Sequence, residues 1–213
     1  MKRSMIAATL AALVLATLTT PATQAATASG KDVTTNFSTT RSLSGWSAFQ
    51  GKDASKSNID FTSEGARLWV RNGTGAAMGL TNPIKYGEWK VKMKISGSGT
   101  KVNLLLWPYG GGWPPEIDFN ESGDRTRSNQ TMHYSSSNKM LQTHYAVDQT
   151  QWHVYGVQVS EKTVVYTLDG KVMASVANMA PGQSWNMHIR TTKTSSTTQK
   201  TQLIVSWAKE DAW

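Results

Sequence analysis

The segment Trp89–Ile95 constrains the fold most strongly, because apolar and charged residues alternate in it without interruption. A period of two residues is that of a β-strand, which sends successive side chains to opposite faces. The apolar side chains therefore face a core, whereas Lys90, Lys92 and Lys94 face solvent. We interpret these lysines as the solvated face of a strand, at a sheet edge protected against aggregation, rather than as a nucleic-acid-binding row.

Other segments repeat this β-type pattern. The apolar run Val102–Trp107 is typical of a strand buried on both faces. Asp169 and Gly170 separate the strand runs Thr163–Leu168 and Lys171–Val176, and this pair favours a two-residue hairpin because glycine accepts a positive φ. Beyond the N-terminal region, no long window keeps the helical period of 3.6 residues. We therefore predict an all-β protein, a two-sheet antiparallel β-sandwich of jelly-roll type.

The N-terminal region has the pattern of a secretory signal peptide. Two basic residues precede the uncharged run Met5–Leu18, and small residues follow it. The run is shorter than the ~20 apolar residues of a membrane-spanning helix, and no second apolar stretch follows. We predict a signal peptide over residues 1–28, a Ser/Thr-rich linker leading into the first strand over residues 29–45, and one domain over residues 46–213. The mature protein would be secreted and extracellular.

Composition narrows the possible chemistry and partners. The chain has no cysteine, which excludes disulfide bonds, thiolate nucleophiles and cysteine-ligated zinc. Its 22 basic residues outnumber 14 acidic ones, which gives a formal net charge of +8. A basic surface can bind nucleic acid, an anionic cell wall or an acidic glycan. Because the lysines are dispersed, we favour solubility and weak wall adhesion, and we expect no nucleic-acid or membrane partner.

Three of the few acidic residues, Glu116, Asp118 and Glu121, fall within six positions. In a regular strand, Glu116 and Asp118 share one face, and the apolar residues between and after them enter the core. Glu121 would then lie on the opposite face. A β-bulge near Asn120 would return Glu121 to the acidic face, and bulges often re-aim side chains next to active sites.

A cluster of carboxylates on one face of a sheet has three explanations. Glycoside hydrolysis uses one ionised and one protonated carboxyl on either side of the scissile bond, and like-charge repulsion with partial burial separates their pKa values. Calcium binding is a rival explanation, although calcium ligands usually come from loops. The third explanation is an ordinary solvated strand face. The residues favour catalysis without excluding the other two explanations.

The acidic segment resembles the Glu-x-Asp-x-x-Glu signature of glycoside hydrolase family 16 in its bulged, laminarinase-type form. Other segments resemble the family in the same order along the chain, and together they cover roughly residues 46–207. These segments are Ile84–Lys94 with its Tyr-Gly pair, Leu106-Trp107-Pro108, Met132-His133-Tyr134, Trp152–Val157 and Tyr166–Lys171.

The resemblance implies a concanavalin-A-like jelly roll, a concave glycan-binding face and a retaining mechanism. It assigns Glu116 as the nucleophile, Glu121 as the general acid/base and Asp118 as the residue that tunes both. The implied activity is endo-hydrolysis of β-1,3- or mixed β-1,3/1,4-glucan by a monomer that needs no cofactor. The alternatives are a transglycosylase, a hydrolase of another polysaccharide, and a non-catalytic lectin-like module.

We predict four substrate-binding residues around the acids: Trp107, Trp113, His133 and Trp185. Indole rings stack well on sugar faces, and Trp113 lies in a glycine-rich loop where exposure is expected. Core packing is an equal alternative for Trp107, and a structural role is an alternative for His133. We predict no catalytic metal, and we leave a structural calcium site open. The remaining histidines are interpreted as structural or surface residues, and four tryptophans as core: Trp46, Trp69, Trp89 and Trp207.

Overall fold

Two antiparallel β-sheets packed face to face form the protein, which is described here by a computed structural model. The structure describes residues 31–97, 99–194 and 201–213. The predicted signal peptide over residues 1–28 lies outside these ranges and stays a prediction. In the described part of the chain, no helix is long and apolar enough to cross a membrane.

The described residues form many strands and two short helical segments, the helix α1 (Phe37–Thr40) and a 3₁₀ turn (Lys56–Asn58). The strands are β1 (Val33–Asn36), β2 (Trp46–Ala48), β3 (Ile59–Thr62), β4 (Gly65–Val70), β5 (Ala76–Leu80), β6 (Gly87–Ser96), β7 (Thr100–Pro108), β8 (Glu116–Ser122), β9 (Arg127–Tyr134), β10 (Lys139–Ala146), β11 (His153–Val159), β12 (Thr163–Leu168), β13 (Lys171–Ala177), β14 (Trp185–Lys193) and β15 (Thr201–Ala212).

The two sheets have different roles. One sheet has the order β10-β9-β8-β7-β14-β5-β2, and we call it the acid-bearing sheet because β8 carries the three acids. The other, which we call the opposite sheet, has the order β13-β12-β11-β6-β15-β4-β3, and β1 also pairs with β15. This architecture confirms the predicted all-β, two-sheet antiparallel sandwich.

Strand β6 shows how the alternating sequence builds the core. Its buried and partly exposed residues alternate along nearly its whole length, and Trp89, Val91 and Met93 are fully buried. The lysines face outward as predicted, and Lys94 forms an ion pair with Glu64. The predicted sheet-edge position is wrong, because β6 pairs with β11 on one side and β15 on the other.

The predicted hairpin is present between β12 and β13. Leu168 pairs with Lys171, and Asp169 and Gly170 between them both adopt positive φ values of 50° and 79°. Two successive positive φ values are those of a type I′ turn, whose twist matches that of the flanking strands.

Part of the chain before residue 46 belongs to the sandwich. Strand β1 pairs with the second half of β15, and the side chain of Phe37 is fully buried. The Phe37 and Trp46 rings meet edge to face with centroids 5.5 Å apart, and the Trp46 indole N–H donates to Thr35 Oγ1. Residues 33–40, predicted as part of a linker, thus supply a strand, a helical turn and a core side chain.

Two of the four tryptophans predicted to be core residues lie elsewhere. Trp46 and Trp89 are buried, whereas Trp69 and Trp207 are partly exposed on the opposite sheet. Trp69 is flanked by Arg67 and Arg71, whose guanidinium carbons lie 5.0 and 4.3 Å from its ring centroid. The alternation of β4 explains this placement, because its inward positions are taken by smaller aliphatic side chains.

Candidate active site

A β-bulge interrupts β8 between its acids. Leu105 of β7 pairs with Asp118, whereas Leu104 pairs with Asn120, so Phe119 is an extra residue on β8. The pairing of β8 with β9 also shifts in register after Asp118. The structure therefore confirms the bulge that the i+5 spacing of the acids predicts.

The bulge turns two successive residues inward and brings Glu121 back to the outer face of the sheet. Phe119 and Asn120 are both fully buried. Glu121 is half-buried on the outer face, where Lys101 Nζ lies 2.6 Å from its Oε1 atom and Asn103 Nδ2 donates to the same oxygen at 3.3 Å. All three acids thus share one face.

Polar contacts under the sheet hold the bulge in place. Asn120 Nδ2 donates to Gln149 Oε1 at 2.8 Å, and its Oδ1 accepts from Ser128 Oγ at 2.7 Å. Gln149, itself fully buried, donates to the backbone oxygens of Asp124 and Arg127. A buried amide is costly unless it is hydrogen-bonded, so this network stabilises the one backbone arrangement that satisfies it.

Asp118 lies in the middle of the acid cluster and is only 1% exposed. Burial raises the pKa of its carboxyl group, and the nearby Glu121 charge acts in the same direction. Its Oδ2 atom lies 3.5 Å from His133 Nε2, and its buried Oδ1 atom has no hydrogen-bond partner in the described residues. Asp118 therefore has one oxygen available for a further proton or hydrogen bond.

His133 faces Glu116 directly across the β8–β9 pair. Its Nδ1 atom lies 2.7 Å from Asn138 Oδ1, an atom that can only accept a hydrogen bond. The Asp118 carboxylate beside Nε2 raises the pKa of His133 to about 9. Both ring nitrogens thus have acceptors, and the doubly protonated imidazolium is the favoured form at neutral pH.

Glu116 is the partly exposed acid of the cluster whose pKa is strongly raised. Burial, followed by the Asp118 charge, raises its pKa to about 7. The Trp113 indole N–H donates to Glu116 Oε2 at 2.5 Å and opposes that rise. Glu116 and Glu121 therefore occupy unlike environments: Glu116 is desolvated beside an indole donor, and Glu121 is ion-paired with Lys101. Burial favours the protonated form of Glu116, whereas the nucleophile role that the family resemblance implies needs the ionised form, which the Trp113 donor favours.

Glu116, Asp118 and His133 also offer ligand atoms that all lie within 4.8 Å of one another. A metal ion there would need the lone pair of His133 Nε2, the atom that faces Asp118 Oδ2 at 3.5 Å. Calcium prefers a shell of oxygen ligands, and this group includes a nitrogen. The donor set therefore fits a hydrogen-bonded acid cluster better than a calcium site.

Comparison with known protein families identifies the family of the chain. The model of the glycosyl hydrolases family 16 matches residues 47–209, which is most of the chain. The chain belongs to glycosyl hydrolase family 16. It is therefore a glycoside hydrolase, as the acid signature predicts. A sequence comparison with curated proteins gives no significant match.

Solved structures share the fold of this family 16 enzyme at low sequence identity. It resembles a Bacillus licheniformis β-glucanase with a TM-score of 0.71 and 14% identity, covering 87% of this chain and 100% of that one. It resembles a family 16 endo-glucanase from Bacteroides ovatus with a TM-score of 0.69 and 13% identity, covering 84% and 99%. An apo Crh5 transglycosylase gives a TM-score of 0.69 at 17% identity, covering 85% and 84%.

Three of the four predicted substrate-binding residues of this family 16 enzyme lie beside the acids. Trp113 is 46% exposed, and its ring centroid lies 5.7 Å from that of His133. Trp107 is partly exposed on the outer face, where its ring stacks on His188 at 6.4 Å with an interplanar angle of 15°. Trp107 is thus on the outer face, and core packing is excluded for its ring.

The prediction for Trp185 is wrong. Its side chain is fully buried in the core between the sheets. The physical reason is the alternation of β14, in which Trp185, Met187 and Ile189 face inward and the residues between them face outward. A tryptophan at the first inward position packs with the apolar set rather than with a substrate.

The same alternation reveals residues that the sequence analysis missed. His188 lies on the outer face of β14 between the rings of Trp107 and Phe49, whose centroids lie 6.4 and 5.0 Å away. Arg190 lies on the same face, in register with Asn103 of β7. The polar–apolar alternation of residues 185–190 in the sequence carries this signal, because it places His188 and Arg190 on the face opposite Trp185.

Proposed function

We propose that this family 16 enzyme is a secreted, monomeric, retaining endo-glycosidase that hydrolyses β-1,3- or mixed β-1,3/1,4-linked glucan. The observation that carries the proposal is the bulge of β8, which brings Glu116, Asp118 and Glu121 onto one solvent-facing surface. The choice of glucan rests on the family and on the endo-glucanase and β-glucanase named among the similar structures.

The proposed reaction has two displacements. In the first, Glu116 attacks the anomeric carbon while Glu121 gives its proton to the departing glycosidic oxygen, and a covalent glycosyl-enzyme forms. In the second, Glu121 takes a proton from water, the water oxygen attacks the anomeric carbon, and Glu116 leaves as a carboxylate. Each carboxyl group therefore returns to its starting protonation state, and the product keeps the anomeric configuration of the substrate.

Asp118 and His133 would regulate the charge of this pair. The buried Asp118 lies close to both glutamates and can hold a proton. In that neutral form it repels neither glutamate, and the His133 cation limits the total negative charge of the cluster. The Trp113 indole N–H stabilises the ionised form of Glu116, which is the form that attacks.

The test is reducing-sugar release from laminarin and lichenan by the wild-type enzyme and by Glu116→Gln. We expect release by the wild type and a loss of at least ~10³-fold in the variant, because no nucleophile is left. Glu161→Gln, an exposed acid in the turn before β12, is the matched control and should keep full activity. Binding of glucan without release by the wild type would show a lectin-like module instead.

Two further measurements separate the finer parts of the proposal. NMR of early products should show the β-anomer first if the mechanism is retaining. A transglycosylase, the second candidate because of the similar Crh5 structure, would yield oligosaccharides longer than the substrate, since a sugar replaces water in the second displacement. N-terminal sequencing of protein from the culture medium should begin at residue 29 if residues 1–28 are a signal peptide.

A further inference from the structure

The outer face of β14 carries polar groups that lack partners. The Oδ1 atom of Asn186 and the Nε atom of Arg190 are buried, and neither has a hydrogen-bond partner in the described residues. Buried polar atoms are nearly always paired in folded proteins, so these two atoms on one strand face are available to a group from outside the chain.

An apolar platform lies between these two groups. His188 is placed between Asn186 and Arg190 on β14, and its ring packs with Trp107 and Phe49. Burial, followed by the Arg190 charge, lowers the pKa of His188 to about 4, so the ring is neutral at neutral pH. A neutral aromatic surface of this kind stacks on the face of a sugar ring.

The platform is continuous with the acids across the sheet. His188 pairs with Leu105 of β7, and Leu105 pairs with Asp118 of β8. Since neighbouring strands lie ~4.8 Å apart, the platform is about 10 Å from the acids in the direction that crosses the strands. A glycan held at the acids and extended across the strands would therefore meet the platform.

Arg190 differs from Lys101, the lysine that contacts the acids. Lys101 is neutralised by Glu121 at 2.6 Å. Arg190 forms no ion pair with any residue in the described ranges, although its strand neighbour Asn103 contacts Glu121. An arginine kept beside an apolar platform without a carboxylate offers a planar set of donors that matches an oxyanion in two parallel hydrogen bonds.

We infer that Arg190 is a specificity-determining residue that binds an oxyanion, a carboxylate or a sulfate, on a sugar unit stacked on the platform that Trp107, His188 and Phe49 form. This inference rests on the proposed function, because it assigns a subsite of the same glycan-binding surface. Asn186 Oδ1 accepts a hydroxyl of that unit. Among β-glucans, the preferred substrates would thereby be those that carry acidic substituents on one side of the cleaved bond.

The test compares binding of three forms of one polymer: laminarin, laminarin oxidised to C6 carboxylates, and sulfated laminarin. Titration calorimetry uses Glu116→Gln to prevent cleavage, alone or combined with Arg190→Gln. We expect one acidic form to bind at least about tenfold more tightly than laminarin, and Arg190→Gln to abolish that preference. The acidic form that shows the preference identifies the substituent as carboxylate or sulfate.

Lys162→Gln is the matched control, because it removes one positive charge from an exposed turn of the opposite sheet. An equal loss with Lys162→Gln would assign the preference to net charge and overturn the inference. Two other results would overturn the inference as well. One is equal binding of all three polymers by Glu116→Gln, and the other is a preference for an acidic polymer that survives Arg190→Gln. Arg190→Lys keeps the charge but not the paired donors, and it should lose most of the preference while melting like the parent.

Reducing-sugar release by the wild type is recorded separately. Release without an Arg190-dependent preference overturns this inference and leaves the proposed function intact. An Arg190-dependent preference without release supports the subsite and overturns the proposed hydrolysis.

Discussion

At the scale of single residues, the acid cluster is governed by burial and by the contacts of each carboxyl. Glu116 has a pKa of about 7 because it is desolvated next to Asp118, whereas the Trp113 indole N–H and the His133 cation act against that rise. A nucleophilic carboxylate must be ionised to attack. Activity should therefore fall as the pH drops through about 7, as Glu116 becomes protonated.

The pH dependence can be tested with Trp113→Phe, which removes the hydrogen bond to Glu116 and keeps an aromatic ring. Loss of a donor that favours the charged form raises the pKa of Glu116, so the acidic limb of the kcat/KM profile should move to higher pH. Asp118→Asn should move the limb in the opposite direction, because the Asp118 charge is a larger influence on Glu116 than the His133 charge. If the acidic limbs of the wild type, Trp113→Phe and Asp118→Asn coincide, the ionisation belongs to a group other than Glu116.

Gly79 shows why a residue without a side chain is needed beside the platform. A Cβ atom at this position would lie 2.8 Å from His188 Cδ2 and 3.1 Å from Phe49 Cε2. Because β14 lies between β5 and β7, Gly79→Ala should therefore displace the His188 ring toward β7 and disturb its packing with Trp107 and Phe49. We expect a several-fold increase in KM for glucan with kcat nearly unchanged, because the acids are untouched.

Gly51→Ala is the control for that substitution, since a Cβ atom there would meet nothing within 4 Å. Its KM should equal that of the wild type. A Gly79→Ala enzyme with normal KM would show that the position of the His188 ring does not affect binding of the polymer.

At the scale of elements, a buried amide network holds the bulge of β8, and the bulge sets the orientation of Glu121. Asn120→Ala should remove the hydrogen bonds to Gln149 and Ser128 and lower the free energy of unfolding by ~1–3 kcal/mol. Because Glu121 depends on the bulge for its orientation, we expect a loss of kcat of more than about tenfold as well. Urea denaturation and initial rates on laminarin measure the two effects.

Asn58→Ala provides the comparison, because Asn58 is a buried amide that donates to the backbone oxygens of Thr74 and Gly75 far from the acids along the chain. It should lose a similar amount of stability and retain most of its activity. Equal activity losses in the two variants would mean that general destabilisation, and not the bulge, controls the rate.

The sequence was informative where periodicity alone determines orientation. The strand pattern of β6 and the i+5 spacing of the acids both depend on the two-residue period, and both predicted the observed faces. The prediction for Trp185 was wrong because it followed the sugar-stacking tendency of an indole ring and not the alternation of β14, which turns this side chain inward. The contact between Asp118 and His133 depends on the register between two strands, which local sequence does not determine.

At the scale of the whole molecule, the N-terminal strand and helical turn are part of the stabilising core. Phe37→Ala should lower the free energy of unfolding by ~3–5 kcal/mol, because it empties a fully buried site next to Trp46. Val172→Ala, at a position 63% exposed, should change it by less than about 0.5 kcal/mol. Thermal denaturation measures both, and a Phe37→Ala protein as stable as the wild type would place the domain boundary near residue 46 after all.

The position of β15 has a consequence for how the protein is made. This strand lies between β6 and β4 in the middle of the opposite sheet, although it follows every other strand of the described residues in sequence. Until it is synthesised, the hairpin of β3 and β4 has no ladder to join it to β6, and β1 has no partner. The β6-β11-β12-β13 half of that sheet can pair without β15, but β1 and the β3–β4 hairpin can join it only after residues 201–212 have left the ribosome. Long-range pairing of this kind makes folding slow, so the unpaired edge of β6 stays open to chaperones until β15 is made.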